Sequence, residues 1–333
     1  VKLAHEYAKR IKEANPGTIT VFGGPNFPDK ADQQKVFLQE YDSIDFYLEY
    51  EGEKSFVELY RALKKVNFNK EKFLKEKPLV HNIRYLHEGE IVRCPLGEKF
   101  THLETMPSPY LTGMLDKFFD DILIPMMQST RGCPFTCTFC WEGGSYFTKT
   151  PRYPQDRIEE ELEYIASRVK VKDLQITDAN FGMFPKDIDT AKAIKKCQDR
   201  HKGYPFTVLA ATAKTGKERT VEIVKILGDT LPATAAVQST DKEVLKEIKR
   251  VNVSQDVLVN FSKAIENVGG QSEAEIILCL EGDTKEKHMK TVSDMLDADM
   301  KFIRLYQFMM LPGTQSTTTE SRKKWEYMTR YRV

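Results

Sequence analysis

No apolar run in this sequence approaches the roughly 20 residues that a bilayer-spanning helix requires. Nor does it open on a charged leader with an apolar core, the mark of a secretory signal. The reading is therefore of a cytoplasmic chain with no membrane partner. Net charge is almost missing as well: 50 Lys and Arg face 49 Asp and Glu, leaving +1. That balance gives no electrostatic footprint for nucleic acid beyond what a local basic groove could supply, so a nucleic-acid partner is not expected. Cysteine is scarce, with six in 333 residues. A disulfide scaffold would spread cysteines through a small secreted chain. Here Cys94, Cys197 and Cys279 are scattered in unrelated contexts, and the other three crowd together.

What is present is enough apolar residue, 41% of the chain, for one large or two ordinary domains. The opening, VKLAHEYAKRIKEANPG, has helical spacing, with Leu3, Tyr7, Ala8 and Ile11 on one face and a turn at Asn15-Pro16-Gly17. A strand (TITVFGG), a helix over 29–40, a strand (DFYLEY) and a helix over 54–65 follow. Such alternation predicts a parallel sheet. Two strands are too few for an independent doubly wound domain, so residues 1–66 read as the later part of one. The text opens mid-fold at Val1 and closes on helical text, KKWEYMTRYRV, which reads as a piece of a longer chain. Residues 67–121 read as a linker holding a hairpin (NIRYLHEGEIVRCP, turning at Glu88-Gly89) and the proline-bearing LETMPSPY.

From 122 to 315 the alternation is regular. Strands are expected at ILIPMMQ, DLQITD, FTVLAA, PATAAVQ, EAEIILCL and KFIRLYQF, with helices over 156–168, 186–200, 217–228, 241–266 and 284–297. A full eight-fold barrel usually needs about 250 residues. The fold class predicted is therefore α/β: a (β/α)6 partial TIM barrel, preceded by a partial doubly wound, Rossmann-like domain. Residues 316–333 would begin a C-terminal region. Both architectures place chemistry beyond the carboxyl ends of their strands.

The loop after the first of these strands reads RGCPFTCTFCW, with Cys133, Cys137 and Cys140 within eight positions. Thiolates in that spacing can converge on one inorganic centre, and soft sulfur selects zinc, copper(I) or an iron–sulfur cluster. Structural zinc normally takes four closed ligands. The loop holds no histidine, and the nearest later one is His201. A 4Fe-4S cluster on three cysteines would instead leave one iron open to a chelating small molecule. A zinc knuckle stays as the bland alternative. Cys279, within apolar text, reads as a small buried hydrophobe rather than a fourth ligand.

Cys133-x3-Cys137-x2-Cys140, with Phe139 before the last cysteine, resembles the signature of the radical S-adenosylmethionine superfamily. The resemblance implies metal ligation by the three cysteines of a 4Fe-4S cluster whose open iron is chelated by S-adenosylmethionine. It also implies reductive cleavage of that cosubstrate to methionine and a 5′-deoxyadenosyl radical, the cofactors carrying the chemistry. Cofactor contacts are implied for Phe139, for Asp178 and Asn180 in Thr177-Asp178-Ala179-Asn180-Phe181-Gly182, and for Gln238 and Ser239 near the ribose. Each has a plain structural reading as well: a strand-ending turn with an Asx cap for the former segment, a helix cap before Asp241 for the serine. Lys214 reads as a solvated lysine within reach of the site. EIILCLEGDTKE resembles a family segment usually written Gly-Leu-Pro-Gly-Glu-Thr. Cys279 and Glu281 stand in the places of its first glycine and proline, and Asp283 in that of the glutamate, which puts the local backbone in doubt. Leu311-Pro312-Gly313-Thr314 matches a common family ending, and Glu142-Gly143-Gly144 gives backbone freedom beside the cluster.

The front piece resembles the last third of the cobalamin-binding domain found before many such enzymes. Gly23 and Gly24 would pass close to that cofactor, and Tyr50-Glu51-Gly52-Glu53 follows a usual Gly-Glu-Gly-Glu, with Tyr50 in place of the first glycine. The axial-ligand pattern Asp-x-His-x-x-Gly has one near match, Asp199-Arg200-His201-Lys202-Gly203, which has its glycine one place early and reads as coincidence. Whether the whole protein holds cobalamin is left open by this stretch. The leading function is a radical enzyme performing cobalamin-dependent methylation, or a related rearrangement, of a small-molecule or biosynthetic-intermediate substrate. A flavodoxin- or ferredoxin-type reductant would be its electron donor. The alternatives are a tRNA methylthiotransferase-like enzyme, whose extra cysteines and RNA-binding tail are not visible, and a non-enzymatic iron–sulfur or zinc protein.

Overall fold

The computed structural model describes residues 2–330; Val1 and the final three residues of the KKWEYMTRYRV text lie outside the described residues. Two compact units emerge, one holding the chain up to Phe100 together with the segment from Met310 on, the other running from Thr101 to Met309.

In the first unit the order is α1 (Lys2–Ala14), β1 (Val21–Gly23), α2 (Ala31–Glu40), β2 (Phe46–Leu48), α3 (Glu53–Lys65), α4 (Lys70–Glu76), β3 (Ile83–His87) and β4 (Glu90–Arg93). β1 and β2 pair in parallel as the alternation predicts, and β3 and β4 form the expected hairpin. That hairpin, placed in a linker by the sequence reading, is instead part of the sheet, whose order is β1-β2-β3-β4 with β3 antiparallel to β2. All three residues of β2 are buried, and Phe46, Leu48, Leu59, Phe73 and Tyr85 share one core. The short α4 has no apolar periodicity to betray it. It is fixed by its ends, with the Asn69 side chain accepting from Lys72 N and Lys77 closing it in the left-handed region.

The second unit runs β5 (Met126–Met127), α5 (Gln155–Ala166), β6 (Asp173–Phe181), α6 (Asp187–Arg200), β7 (Thr207–Thr212), α7 (Lys217–Leu227), β8 (Ala233–Gln238), α8 (Lys242–Glu247), α9 (Gln255–Asn267), β9 (Ser272–Leu278), α10 (Lys285–Asp297) and β10 (Phe302–Gln307). Two parallel three-stranded sheets result, β5-β6-β7 and β8-β9-β10, an α/β architecture in which each strand neighbours the next in sequence. Between β7 and β8 the connection is made by side chains: the Thr212 hydroxyl and the buried Lys217 ammonium both donate to the carbonyl of Thr234. Alternation sorts each strand's faces. Leu174, Ile176 and Val208 pack into one core with Ile158, Leu162 and Ile194 of the helices, while Ala235, Ala274 and Ile276 pack into another with Leu258, Phe261 and Met295.

The single helix expected over 241–266 is two. Asp241 caps α8 through Glu243 N and Val244 N, Lys249 turns into the left-handed region at φ 52°, and Ser254 caps α9. The intervening Asn252 side chain donates to the carbonyls of Val237 and Ser239, an attachment that a continuous helix would forbid. A last short helix, α11 (Thr319–Lys324), lies in the first unit's later segment. Among the described residues no helix is long and apolar enough to cross a membrane.

Candidate active site: a cysteine loop ringed by cations

The loop after β5 is held from both sides before any cysteine is reached. Asp178, on β6, accepts hydrogen bonds from Ser129 N at 2.7 Å, Thr130 N at 3.0 Å and the Ser129 hydroxyl. Arg152 reaches Ser129 Oγ, Thr130 Oγ1, Asp187 and Thr190 from the far end of the loop. Beyond these, Cys133 N donates to Phe147 O and Cys140 N to Cys137 O. Gly143 is required by close approach: a Cβ there would run into the Cys137 carbonyl oxygen.

Cys133 and Cys137 are buried and Cys140 is half-buried, none of them in a disulfide. Donors surround them. The Asn180 amide donates to Cys133 Sγ at 3.2 Å, and Lys214 Nζ lies 3.6 Å from the same sulfur and above the Phe135 ring. The guanidinium of Arg250 reaches Cys137 Sγ at 3.9 Å and is fixed by the Ala236 carbonyl and by Asn252 Oδ1 at 3.0 Å. Burial pulls Arg250 below its ordinary range, opposed by the thiols of Cys137, Cys133 and Cys140. Burial likewise raises the Cys140 thiol, with the Lys214 ammonium opposing. Cations and amide donors around sulfur favour thiolate, the form that binds metal. The loop's other face is pinned by Thr138, whose hydroxyl donates to the buried Glu281 and whose N–H donates to Ile248 O.

The residues singled out by sequence divide into four groups. Asn180 and Gln238 are buried with side-chain oxygens lacking a hydrogen-bond partner, a costly state for buried polar atoms and one that a bound polar molecule would relieve. Gln238 also stands in the left-handed region, at φ 65°. Asp178 and Ser239 are spent on structure. Both oxygens of Asp178 hold the loop, and burial pushes its carboxyl up to about 6. Ser239 Oγ accepts from Asp241 N at 3.2 Å and lies 3.5 Å from Thr291 Oγ1. Phe139 is half-buried against Val244, Ile248 and Leu280. Gly23 and Gly24 belong to the first unit, ending β1; Gly24 has φ 103° with nothing within 4 Å of where its Cβ would be.

Two expectations are corrected. Lys214 is not a solvated lysine but faces a thiol. Cys279 is exposed rather than buried, because β9 ends at Leu278 and the chain turns there through φ 69°. The glycine-like backbone is thus kept with a cysteine in it, and Tyr50, the other residue in a glycine's place, likewise has φ 64°. Arg250 and Glu281 were missed. Only the break in the 241–266 pattern at Arg250-Val251-Asn252 could have drawn attention to the former.

A model of the radical SAM superfamily matches residues 127–295, about half of the chain. Among curated proteins, the chain is 29% identical over 341 residues to the cobalamin-dependent radical SAM methyltransferase TokK of Streptomyces tokunonensis, covering 96% of this chain and 46% of that one. It is 29% identical over 330 residues to 2-(S-pantetheinyl)-carbapenam-3-carboxylate methyltransferase of Streptantibioticus cattleyicolor, with 94% and 46% covered. The chain therefore spans about half the length of these relatives. In fold it is similar to the radical S-adenosylmethionine methyltransferase TsrM of Kitasatospora setae, with TM-score 0.71, 14% identity, and 94% of this chain and 59% of that one covered. It is also similar to the cobalamin-dependent radical enzyme OxsB, with TM-score 0.61, 16% identity, and 98% and 45% covered. With its cysteine loop lying inside the matched span, this chain belongs to the radical S-adenosylmethionine superfamily.

Proposed function

We propose that Cys133, Cys137 and Cys140 hold a 4Fe-4S cluster, that S-adenosylmethionine occupies the cluster's remaining corner, and that the whole protein is a cobalamin-dependent methyltransferase. The observation that carries the reading is that three thiols outside any disulfide share one loop, in which Asn180 and Lys214 lie against Cys133 and Arg250 against Cys137. A thiolate-bound cluster with net negative charge is stabilised by such donors, whereas an isolated apolar thiol trio would stay protonated. When bound, the cluster and its cosubstrate supply an electron-transfer cleavage that generates a 5′-deoxyadenosyl radical.

The chain's own groups have distinct tasks in this reading. Asp178 and Arg152 set the loop. Arg250 and Lys214 neutralise sulfur and present positive charge to a carboxylate-bearing cosubstrate. The unpartnered oxygens of Asn180 and Gln238 accept from its amino or hydroxyl groups. Phe139 adds an apolar edge beside the last cysteine, and Ser239 fixes the turn that aims Gln238. We read the six strands β5 to β10, bridged through Thr234, as one (β/α)6 partial barrel, and the first unit as the later part of a doubly wound cobalamin-type domain. Support for the latter is the glycine end of β1 and the similarity to the cobalamin-dependent TokK. The substrate is then a small biosynthetic molecule and the electron donor a flavodoxin- or ferredoxin-type protein, in the reducing cytoplasm that keeps such thiols free.

The test is anaerobic reconstitution of the full-length protein with iron and sulfide, followed by reduction in the presence of S-adenosylmethionine. Formation of 5′-deoxyadenosine is expected, and Cys137→Ala should abolish it while far-UV circular dichroism stays native. Retained cleavage in that variant would refute the ligand assignment.

A further inference from the structure

Outside the cysteine loop, a second set of metal-ligating side chains converges within the Thr101–Met309 unit. Glu163 lies on α5, Cys197 on α6 and His201 immediately after α6, and one ligand atom from each lies within 4.8 Å of the other two. Cys197 and His201 are four apart, so both fall on one side of the helix end. His201 Nε2 is 2.8 Å from Glu163 Oε2, and the other oxygen of that carboxylate takes a hydrogen bond from Arg200 at 3.1 Å. Arg200 thus orients the carboxylate and leaves Oε2 aimed at the imidazole, the arrangement outer-shell partners give to a metal-binding carboxylate. Cys197 Sγ is buried and makes a long contact of 3.9 Å to the Leu162 carbonyl.

We propose that Glu163, Cys197 and His201 form a zinc-type divalent-metal site that fastens the end of α6 to α5. Zinc takes sulfur at about 2.3 Å and nitrogen or oxygen at about 2.0–2.2 Å, so a tetrahedral set needs donor separations of about 3–4 Å, close to those of three atoms that lie within 4.8 Å of one another. Three protein ligands leave a fourth position for water. A groove of about 610 Å³ borders Glu163 and His201, lined in part by Leu111, Tyr164, Lys196 and Arg200. Binding converts the Cys197 thiol to a metal thiolate, and its proton leaves to solvent, one per ion bound. The competing arrangement is a Glu163–His201 ion pair beside an inert core thiol.

Two measurements separate them. In protein whose cysteine loop is filled by reconstitution, zinc is counted after equilibration with Zn²⁺ and desalting. One zinc per chain is expected, falling to none in Cys197→Ser and in His201→Ala, the latter a change at a half-buried helix end. A variant with Cys133, Cys137 and Cys140 all replaced by alanine, checked for a native thermal transition, is titrated with Co²⁺ alone. A thiolate-to-cobalt absorption band should appear and vanish when Cys197→Ser is added. Zn²⁺ should raise the melting temperature of the unsubstituted protein by several degrees and leave that of His201→Ala unmoved. Zinc content and cobalt spectrum unchanged by Cys197→Ser, or no uptake at all, would overturn the site.

Discussion

Four of the five thiols of the Thr101–Met309 unit sit in two opposite environments. Around Cys133, Cys137 and Cys140 the sequence has gathered an amide, an ammonium and a guanidinium, each directed at sulfur. Around Cys197 it has gathered apolar side chains, and burial, with the Glu163 carboxylate adding to it and Arg200 opposing, pushes that thiol up to about 11. The same residue type is thus given polar and cationic neighbours in one place and an apolar surround beside a carboxylate in the other. The lesson is that surroundings, not spacing alone, mark a cysteine for chemistry. Three thiols supported by cations suit a resident cluster, while a thiol beside a carboxylate gives up its proton only when a dication arrives.

The largest blow to that contrast is removal of the central cation. Arg250→Met removes the group that lies against Cys137 Sγ and donates to the Ala236 carbonyl and Asn252 Oδ1, and the buried acceptors left without a donor should cost about 3 kcal/mol. The urea midpoint should drop accordingly, and iron retained per chain should fall in parallel. Next comes Gly143→Ala, which forces a methyl onto the Cys137 carbonyl and should cost about 2 kcal/mol. Gly144→Ala is its control, because a Cβ there meets only Phe147 at 3.8 Å.

Asp178→Asn follows, expected to cost about 1.5 kcal/mol at pH 7, since an amide cannot accept from all three donors that Ser129 and Thr130 direct at the carboxylate. Its pH signature has a definite sign. A carboxyl raised from 3.8 to about 6 in the folded state binds its proton more tightly there than when unfolded. Its ionisation therefore lowers stability as pH rises between about 4 and 6, a penalty fully present above that window and absent below it. The difference in stability between the native protein and Asp178→Asn, followed by urea titration across this range, should show that slope. The smallest effect is Cys279→Gly: relief of a left-handed cysteine, partly offset by glycine's greater freedom when unfolded, should gain less than about 1 kcal/mol.

Much of this was legible beforehand. Strand–helix alternation located β5 to β10 and most of the helices because their apolar faces repeat with the right periods, and the thiol loop announced itself by spacing. What was not legible depended on contacts between distant segments. Arg250 looks like any basic residue in KEIKRVNVS until the chain folds it beneath the thiols, and Glu281 resembles a turn glutamate until Thr138 meets it. The hairpin's strands were visible, but their pairing with β2 was not, since an antiparallel join leaves no period in the text. Cys279 was misread because apolar neighbours suggested a continuing strand, whereas the turn there is set by Asp283 accepting from the Cys279 amide at 3.1 Å. The trio Glu163, Cys197 and His201 spans two helices, and only its Cys-x3-His half is written in one place.

The most direct measurement is Mössbauer spectroscopy of the full-length protein reconstituted with enriched iron, recorded before and after S-adenosylmethionine is added. The cysteine loop should yield a 4Fe-4S spectrum in which a single iron site shifts on addition, as expected where three corners are held by Cys133, Cys137 and Cys140 and one accepts the cosubstrate. A spectrum indifferent to S-adenosylmethionine, or a loop that takes up one tetrahedral zinc in place of iron, would contradict the account.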